Sequence, residues 1–252
     1  MKIKETLRSI VNPSGGLAYH YSALRHRSFH WLNYTTQIND WLESWTQNQG
    51  SLLLLGPSAG YSLSTRFLEK FERIDAIDPD PLGRYLFARN HPLQNFQWHD
   101  RDDLGVKTRS WNPTGLNSLL EDFPDHKILF CNFLGQLPSL FPELTHTKPW
   151  DHWRGVLHEA LAKKKWASYH DLYSLQAQIR TVDRDVLKKW ERNQENAPEQ
   201  YLQELFPKTS RRKAPVVIDH CTHGLFPQGR RHLFLWQRLP KYLHIIEARR
   251  SV

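Results

Sequence analysis

Residues 51–68 read SLLLLGPSAGYSLSTRFL. Ser51–Leu55 is a short, almost unbroken apolar run stopped by Gly56. Such a run suits a strand covered on both faces, as the strands of parallel sheets are. The glycine-rich turn after it would then lie at the carboxyl end of the strand, where open α/β sheets bind ligands. Gly56 permits a tight turn, and Gly60 lets the backbone approach a ligand closely. A helix is expected to begin near Ser62–Ser64, with free N–H groups that favour an electronegative ligand group.

The same alternation continues on both sides. RIDAID (73–78), NFQWHD (95–100), KILFCNFL (127–134) and KWASYHDLY (165–173) read as strands, with helical stretches at 82–90, 115–123 and 150–164 between them. A polar helical insertion is expected at about 176–213, closed by Pro207 and Arg211–Lys213. Strand-like pieces follow at 214–222, 232–239 and 241–249, with Pro240 bending the chain between the last two. Upstream, Ile38, Trp41, Leu42 and Trp45 share one helical face, Gly50 ends that helix, and Pro13–Gly16 is a break. The order predicts an α/β fold: a mostly parallel Rossmann-like sheet with helices on both faces and an antiparallel C-terminal hairpin. Residues 1–48 would form a helical N-terminal cap and 49–252 the main domain.

Composition narrows the class. The 252 residues are 39% hydrophobic and 24% charged, enough for a core and unlike a disordered chain. No run approaches the ~18 apolar residues of a membrane span, and the opening MKIKETLRSIVNPSGG lacks the apolar centre of a secretory signal. Cys131 and Cys221 sit in apolar runs without CxxC spacing, so a reducing, cytoplasmic setting is expected. The net charge is +8. Its basic residues come in short groups: Arg25/Arg27, Lys163–Lys165, Arg211–Lys213, Arg230/Arg231 and Arg249/Arg250. These admit two readings, solvated faces or a footprint for nucleic acid. Aromatic and basic residues do not interleave in one stripe, so no RNA-binding module is recognised.

Asp78 lies 22 residues after Gly56 at the end of the second strand. In nucleotide-binding sheets a carboxylate at about that distance accepts hydrogen bonds from ribose hydroxyls. GPSAGY, AIDPD, WHD and CNFLGQL occur in that order, each after a strand. In this the chain resembles the class I S-adenosylmethionine-dependent methyltransferases over about residues 50–175. The resemblance implies S-adenosylmethionine as cofactor. Gly56, Ser58 and Gly60 would line its methionine part, with Asp78 at the ribose, Asp100 near the adenine, Asn132, Leu134 and Gly135 beside the sulfonium, and Tyr61 and Pro79 also in contact with the cofactor. Two positions depart from the family pattern. Leu54 stands where an acidic residue precedes the first glycine, and Ser58 stands where the middle glycine belongs. They leave room for an altered or non-catalytic member that acts as a binding or assembly partner.

For chemistry, His170 and Asp171 (in SYHDLYS) and Asp219 and His220 (in IDHCT) come near the same sheet edge. A histidine can take the proton of an N or O nucleophile, and a carboxylate beside it raises its basicity. Adjacent strand residues point to opposite faces, so one member of each pair is expected to pack elsewhere. The segment 15–27 would fold over the cofactor mouth with His20, Tyr21 and Arg25 as polar contacts, or expose His20 and Arg25 on a helix surface. Trp150 and Trp153 open a helix and would either pack in the core or stack on an aromatic substrate. No HxH or HExxH spacing is present, so no metal site is expected. Gly56–Gly60 also fits G-x-S-x-G, which would make Ser58 a hydrolase nucleophile with Asp171 and His220. The loop lacks two of the glycines of a nicotinamide-dinucleotide fingerprint.

Overall fold

The computed structural model describes residues 16–46, 50–145, 147–193, 198–206 and 216–251. Pro207 and Arg211–Lys213, expected to close the insertion, lie outside them, as do Pro13–Gly15 of the expected break.

Two helices come first: α1 (Leu17–His26) and α2 (Leu32–Trp45). The Rossmann-like core then runs β1 (Ser51–Leu55), α3 (Thr65–Leu68), β2 (Arg73–Ile77), α4 (Pro81–Asn90), β3 (Phe96–His99), α5 (Gly115–Asp122), β4 (Lys127–Cys131), α6 (Leu137–Leu140), α7 (Lys148–Leu161) and β5 (Trp166–Leu175). The insertion supplies α8 (Arg184–Arg192) and α9 (Pro198–Leu205), and the chain finishes with β6 (Val217–Asp219), β7 (Arg230–Leu239) and β8 (Tyr242–Arg250). The strands lie in the order β3-β2-β1-β4-β5-β8-β7, with β6 beside β5. The first five are parallel; β8 runs antiparallel to β5, and β7 to β8. This is the mostly parallel sheet with an antiparallel C-terminal hairpin expected from the sequence.

The residue pattern explains the layers. β1 alternates its leucines between two cores because both faces are covered. Leu52 and Leu54 pack with Ile38, Trp41 and Leu42 of α2. Leu53 and Leu55 pack with α5 and α7 on the other side. Leu54, in the place of the family's acidic residue, is fully buried. A third apolar cluster joins α8 and α9 to the hairpin through Trp190, Tyr201, Leu233 and Ile245.

Three local expectations change, and of the two readings of Trp150 and Trp153 the packing one holds. The helix after the glycine loop is a single turn, and Ser64 caps it by accepting from Phe67 N at 3.1 Å. The helix is too short to carry a dipole argument. β4 stops at Cys131 because Asn132 turns left-handed, with φ +57°, a conformation Asn tolerates better than most residues. The strand expected at 214–222 reduces, among described residues, to Val217–Asp219, and Cys221 lies in the bend after it with φ +55°. Trp150 and Trp153 stack on each other at 5.1 Å, buried against Trp111 and Phe141. They are core residues with no face for a substrate.

Candidate functional site

The carboxyl ends of β1 and β2 meet at Asp78. Its Oδ2 accepts from Ser58 N at 2.6 Å, and its Oδ1 from Asp80 N at 2.7 Å. The carboxylate and the glycine turn therefore lie side by side. Burial pushes the Asp78 carboxyl up to about 6, although both backbone N–H groups pull the other way. Arg84 ties the neighbouring strand ends together by donating to the carbonyl oxygen of Asp78 at 2.7 Å and to Asp100 at 3.4 Å. Asp100 is exposed and also pairs with Lys107.

The turn itself is tightly packed. At Gly56, φ is +69° and a Cβ would fall 2.6 Å from Cβ of Phe133; at Gly60, φ is +68° and a Cβ would fall 2.6 Å from His91 Nε2. Neither position can carry a side chain without displacing those neighbours. Ser58 adopts φ +50°, and its buried Oγ has no hydrogen-bond partner. Beside the turn, Leu55, Ile77, Pro79, Arg101, Leu104 and Phe133 line a cleft of about 10 Å³, room for roughly one water.

Helix α1 closes over this mouth. His20 is buried and reaches Asp80 Oδ2 at 2.9 Å and the Tyr61 hydroxyl at 3.1 Å. Tyr19 stacks on Trp31 at 5.8 Å and lies 5.7 Å from the Tyr61 ring. Burial pushes its phenol well above the ordinary range. Tyr21 and Arg25 turn to solvent instead and hydrogen-bond each other at 3.3 Å. Of the three residues expected in the cap, the structure brings only His20 to the mouth.

A polar cluster occupies the carboxyl end of β5. A bulge between Asp171 and Tyr173 breaks the strand's alternation, so Asp171 and Ser174 share the face covered by α2. Asp171 Oδ1 accepts from His244 Nδ1 at 2.8 Å, and Asp171 Oδ2 from Asn132 Nδ2 at 2.7 Å. Ser174 Oγ lies 3.1 Å from His244 Nδ1 and 2.7 Å from His220 Nε2. Burial raises the Asp171 carboxyl, yet His244, His220 and Asn132 together hold it well below the usual carboxylate range. Burial lowers His220, against the pull of Asp171.

The other expected residues go elsewhere. His170 faces the opposite side of β5, where Glu247 lies 3.4 Å away and Phe226 packs on its ring. Strand alternation sends it there. Asp219 is exposed and caps the bend by accepting from Cys221 N at 2.7 Å. Leu134 is fully buried in the α5–α7 core, and Gly135 packs against Asn132 and His170. The hydrogen bonds of a Ser58–His220–Asp171 triad are not made, since His220 bonds Ser174, Asp171 bonds His244 and the Ser58 hydroxyl has no partner. Sequence reasoning missed His244, Ser174, Asp80 and Tyr19. Asp80 alone carried a local sign, a carboxylate just before Pro81 where a helix starts.

The charge looks different in three dimensions. Arg231, Arg249 and Arg250 are buried, bonded to Glu247, to the Trp41 carbonyl or to Ser44, and so are not surface charge. No helix among the described residues is long and apolar enough to cross a membrane.

No protein-family model matches the chain, and no curated protein matches its sequence. Solved structures do align with it. A complex described as DhpI-SAM-HEP is 12% identical, covering 92% of this chain and 94% of that one, with a TM-score of 0.40. The N-methyltransferase NodS from Bradyrhizobium japonicum WM9, in complex with S-adenosyl-L-homocysteine, is 11% identical over 87% and 86%, with a TM-score of 0.40. A SAM-dependent methyltransferase from Anabaena variabilis ATCC 29413 is 13% identical over 79% and 77%, with a TM-score of 0.35. At such distances the fold is defined by the chain's own sheet order.

Proposed function

We propose that this chain is an S-adenosylmethionine-dependent methyltransferase acting on an N or O nucleophile. One observation carries the reading: a buried carboxylate at the end of β2, Asp78, bonded to the glycine turn at the end of β1. An ionised carboxylate has about four acceptor sites. Two take the N–H groups of Ser58 and Asp80, which leaves capacity for the two hydroxyls of a ribose. The orphaned Ser58 hydroxyl and the apolar cleft beside Pro79 fit the polar and flat parts of the same ligand. An adenine needs far more space than that cleft has, so Phe133 and the segment 101–106 must part to admit it.

When bound, the cofactor supplies a methyl group on a sulfonium, open to displacement by a lone pair. Asp78 would hold the ribose. Gly56, Ser58, Gly60 and Tyr61 would line the methionine part, and Asn132 would border the reacting centre. On the acceptor side, the cluster around Asp171 forms a polar wall. His220, the most accessible member of that cluster, would take the proton of the nucleophile.

A second reading has its own support. Phe133 seated on Gly56 and the narrow cleft beside Pro79 describe a fold with little room for an adenine at the end of β1. The chain would then be a non-catalytic binding partner. Calorimetry with S-adenosylmethionine and S-adenosylhomocysteine separates the two. Binding that weakens at least about tenfold in Asp78→Ala, the value of a charged hydrogen bond, supports the enzyme. No binding by the folded parent chain supports the closed form.

A further inference from the structure

We propose that Asp171, His220 and His244 form a binding site for a divalent transition-metal ion at the carboxyl end of β5. The three side chains come from separate places: β5, the bend after β6, and β8. Each offers one ligand atom, and these atoms lie within 4.8 Å of one another. Ligand atoms held about 2.1 Å from a tetrahedral ion stand roughly 3.4 Å apart. Small side-chain rotations cover the difference. Two imidazole nitrogens and one carboxylate oxygen suit zinc, iron(II), cobalt or manganese, and three protein ligands leave a position open.

The surroundings are built to hold this geometry. Asn132 Nδ2 donates to Asp171 Oδ2 at 2.7 Å, which orients the carboxylate and leaves Oδ1 facing the histidines. Asp171 N in turn donates to Asn132 Oδ1 at 3.0 Å. Thr222 Oγ1 donates to the Asp171 carbonyl at 2.6 Å and so pins the segment that carries His220. Outer-shell bonds of this kind fix ligands around metals. Backbone irregularities flank two of the three ligands, Asp171 and His220. Asn132 and Cys221 are left-handed without being glycine, and the β5 bulge follows Asp171 directly. Strain of this sort persists where the surrounding structure holds it, often at functional sites. Ser174 Oγ lies between the two imidazoles, 2.7 Å from His220 Nε2 and 3.1 Å from His244 Nδ1.

Metal binding stands on this geometry alone. Its use in catalysis rests on the methyltransferase reading. With an ion present, His220 is a ligand, and the open position takes the acceptor atom of the substrate and acidifies it directly.

Cobalt(II), added to the metal-stripped full chain and followed by its visible absorption and by calorimetry, tests the site. One ion per chain should bind. His220→Ala changes the half-buried bend and should lower the affinity at least tenfold. Asn132→Ala keeps all three ligands and should lower it about 10- to 100-fold. His223→Ala alters an exposed histidine outside the cluster and should bind as the parent does. Far-UV circular dichroism checks that each variant is folded. No uptake of cobalt or zinc by the parent, or equal affinity in parent and folded His220→Ala, overturns the proposal. No adenosyl compound enters the titration, so either result leaves the cofactor reading where it stood.

Discussion

Asp78 does two jobs that oppose each other. Its carboxylate clamps the glycine turn through Ser58 N and the start of α4 through Asp80 N. Burial meanwhile lifts its carboxyl from 3.8 to about 6, which makes ionisation at neutral pH cost ~3 kcal/mol. Between about pH 4 and 6 the folded chain therefore keeps a proton that the unfolded chain gives up. The resulting stability is fully present below about pH 4 and is lost as the pH rises through about 6. Asp78→Asn cannot titrate and should flatten that window. Urea unfolding of both proteins at several pH values checks this: the parent should lose stability relative to the variant between pH 4.5 and 7. A constant difference across the range would show that Asp78 is not protonated in the fold. This residue was legible in the sequence because its partner is local in pattern: a glycine turn after one strand and an acid at the end of the next. Ser58 was legible as a departure, and its φ of +50° shows what it costs, since a glycine would sit there without strain. His244 was not legible. Its partners Asp171 and Ser174 lie 73 and 70 residues away, and only the antiparallel pairing of β5 with β8 brings them together.

At the scale of elements, periodicity identified strands and helices well where both faces or one stripe were apolar. β1 and β4 are nearly continuous apolar runs because helices cover them on both sides, and β5 is as fully buried although it carries four polar residues. Periodicity could not show the β5 bulge, which depends on how β8 pairs, nor the shortness of α3, which Ser64 and the turns around it limit. It also could not say which side of α1 faces inward. The structure decides this through His20, whose ring bridges Asp80 and Tyr61 while Tyr21 and Leu24 stay exposed. A hydrogen bond to an ionised carboxylate is worth about 1.5–3 kcal/mol. Losing it should let α1 open more often without unfolding the sheet behind it. In His20→Ala, amide hydrogen exchange across Leu17–His26 is expected to quicken about tenfold or more, with β1 and β4 unchanged. Equal exchange in both proteins would mean that the aromatic stack of Tyr19, Trp31 and Tyr61 alone seats the helix.

Across the whole molecule, the antiparallel end is fastened by a buried charge network. Glu247 on β8 forms an ion pair with Arg231 of β7, whose Nε lies 2.6 Å from its carboxylate, and accepts from Arg249 Nε on its own strand at 2.9 Å, with His170 of β5 3.4 Å away. Arg231 also donates to the Trp190 carbonyl of α8 at 3.2 Å, so the inserted helices hang on the same group. Burial raises the Glu247 carboxyl, but His170 and Arg249 hold it well below the usual range. Three of the basic residues grouped in the sequence, Arg231, Arg249 and Arg250, are structural here, which composition alone could not reveal. Removing one charge of a buried network leaves the others uncompensated and typically costs about 3–5 kcal/mol. Glu247→Gln keeps the side chain's shape and strands two arginines, so it should destabilise the fold by that amount in urea unfolding at pH 7. Because the folded carboxyl is depressed, the stability it contributes is present above about pH 4 and is lost as the pH falls through its folded value. The gap between parent and variant should therefore narrow on acidification. A variant within about 1 kcal/mol of the parent at pH 7, the range of an exposed ion pair, would show that the hairpin is held by its apolar contacts with α8 and α9 instead.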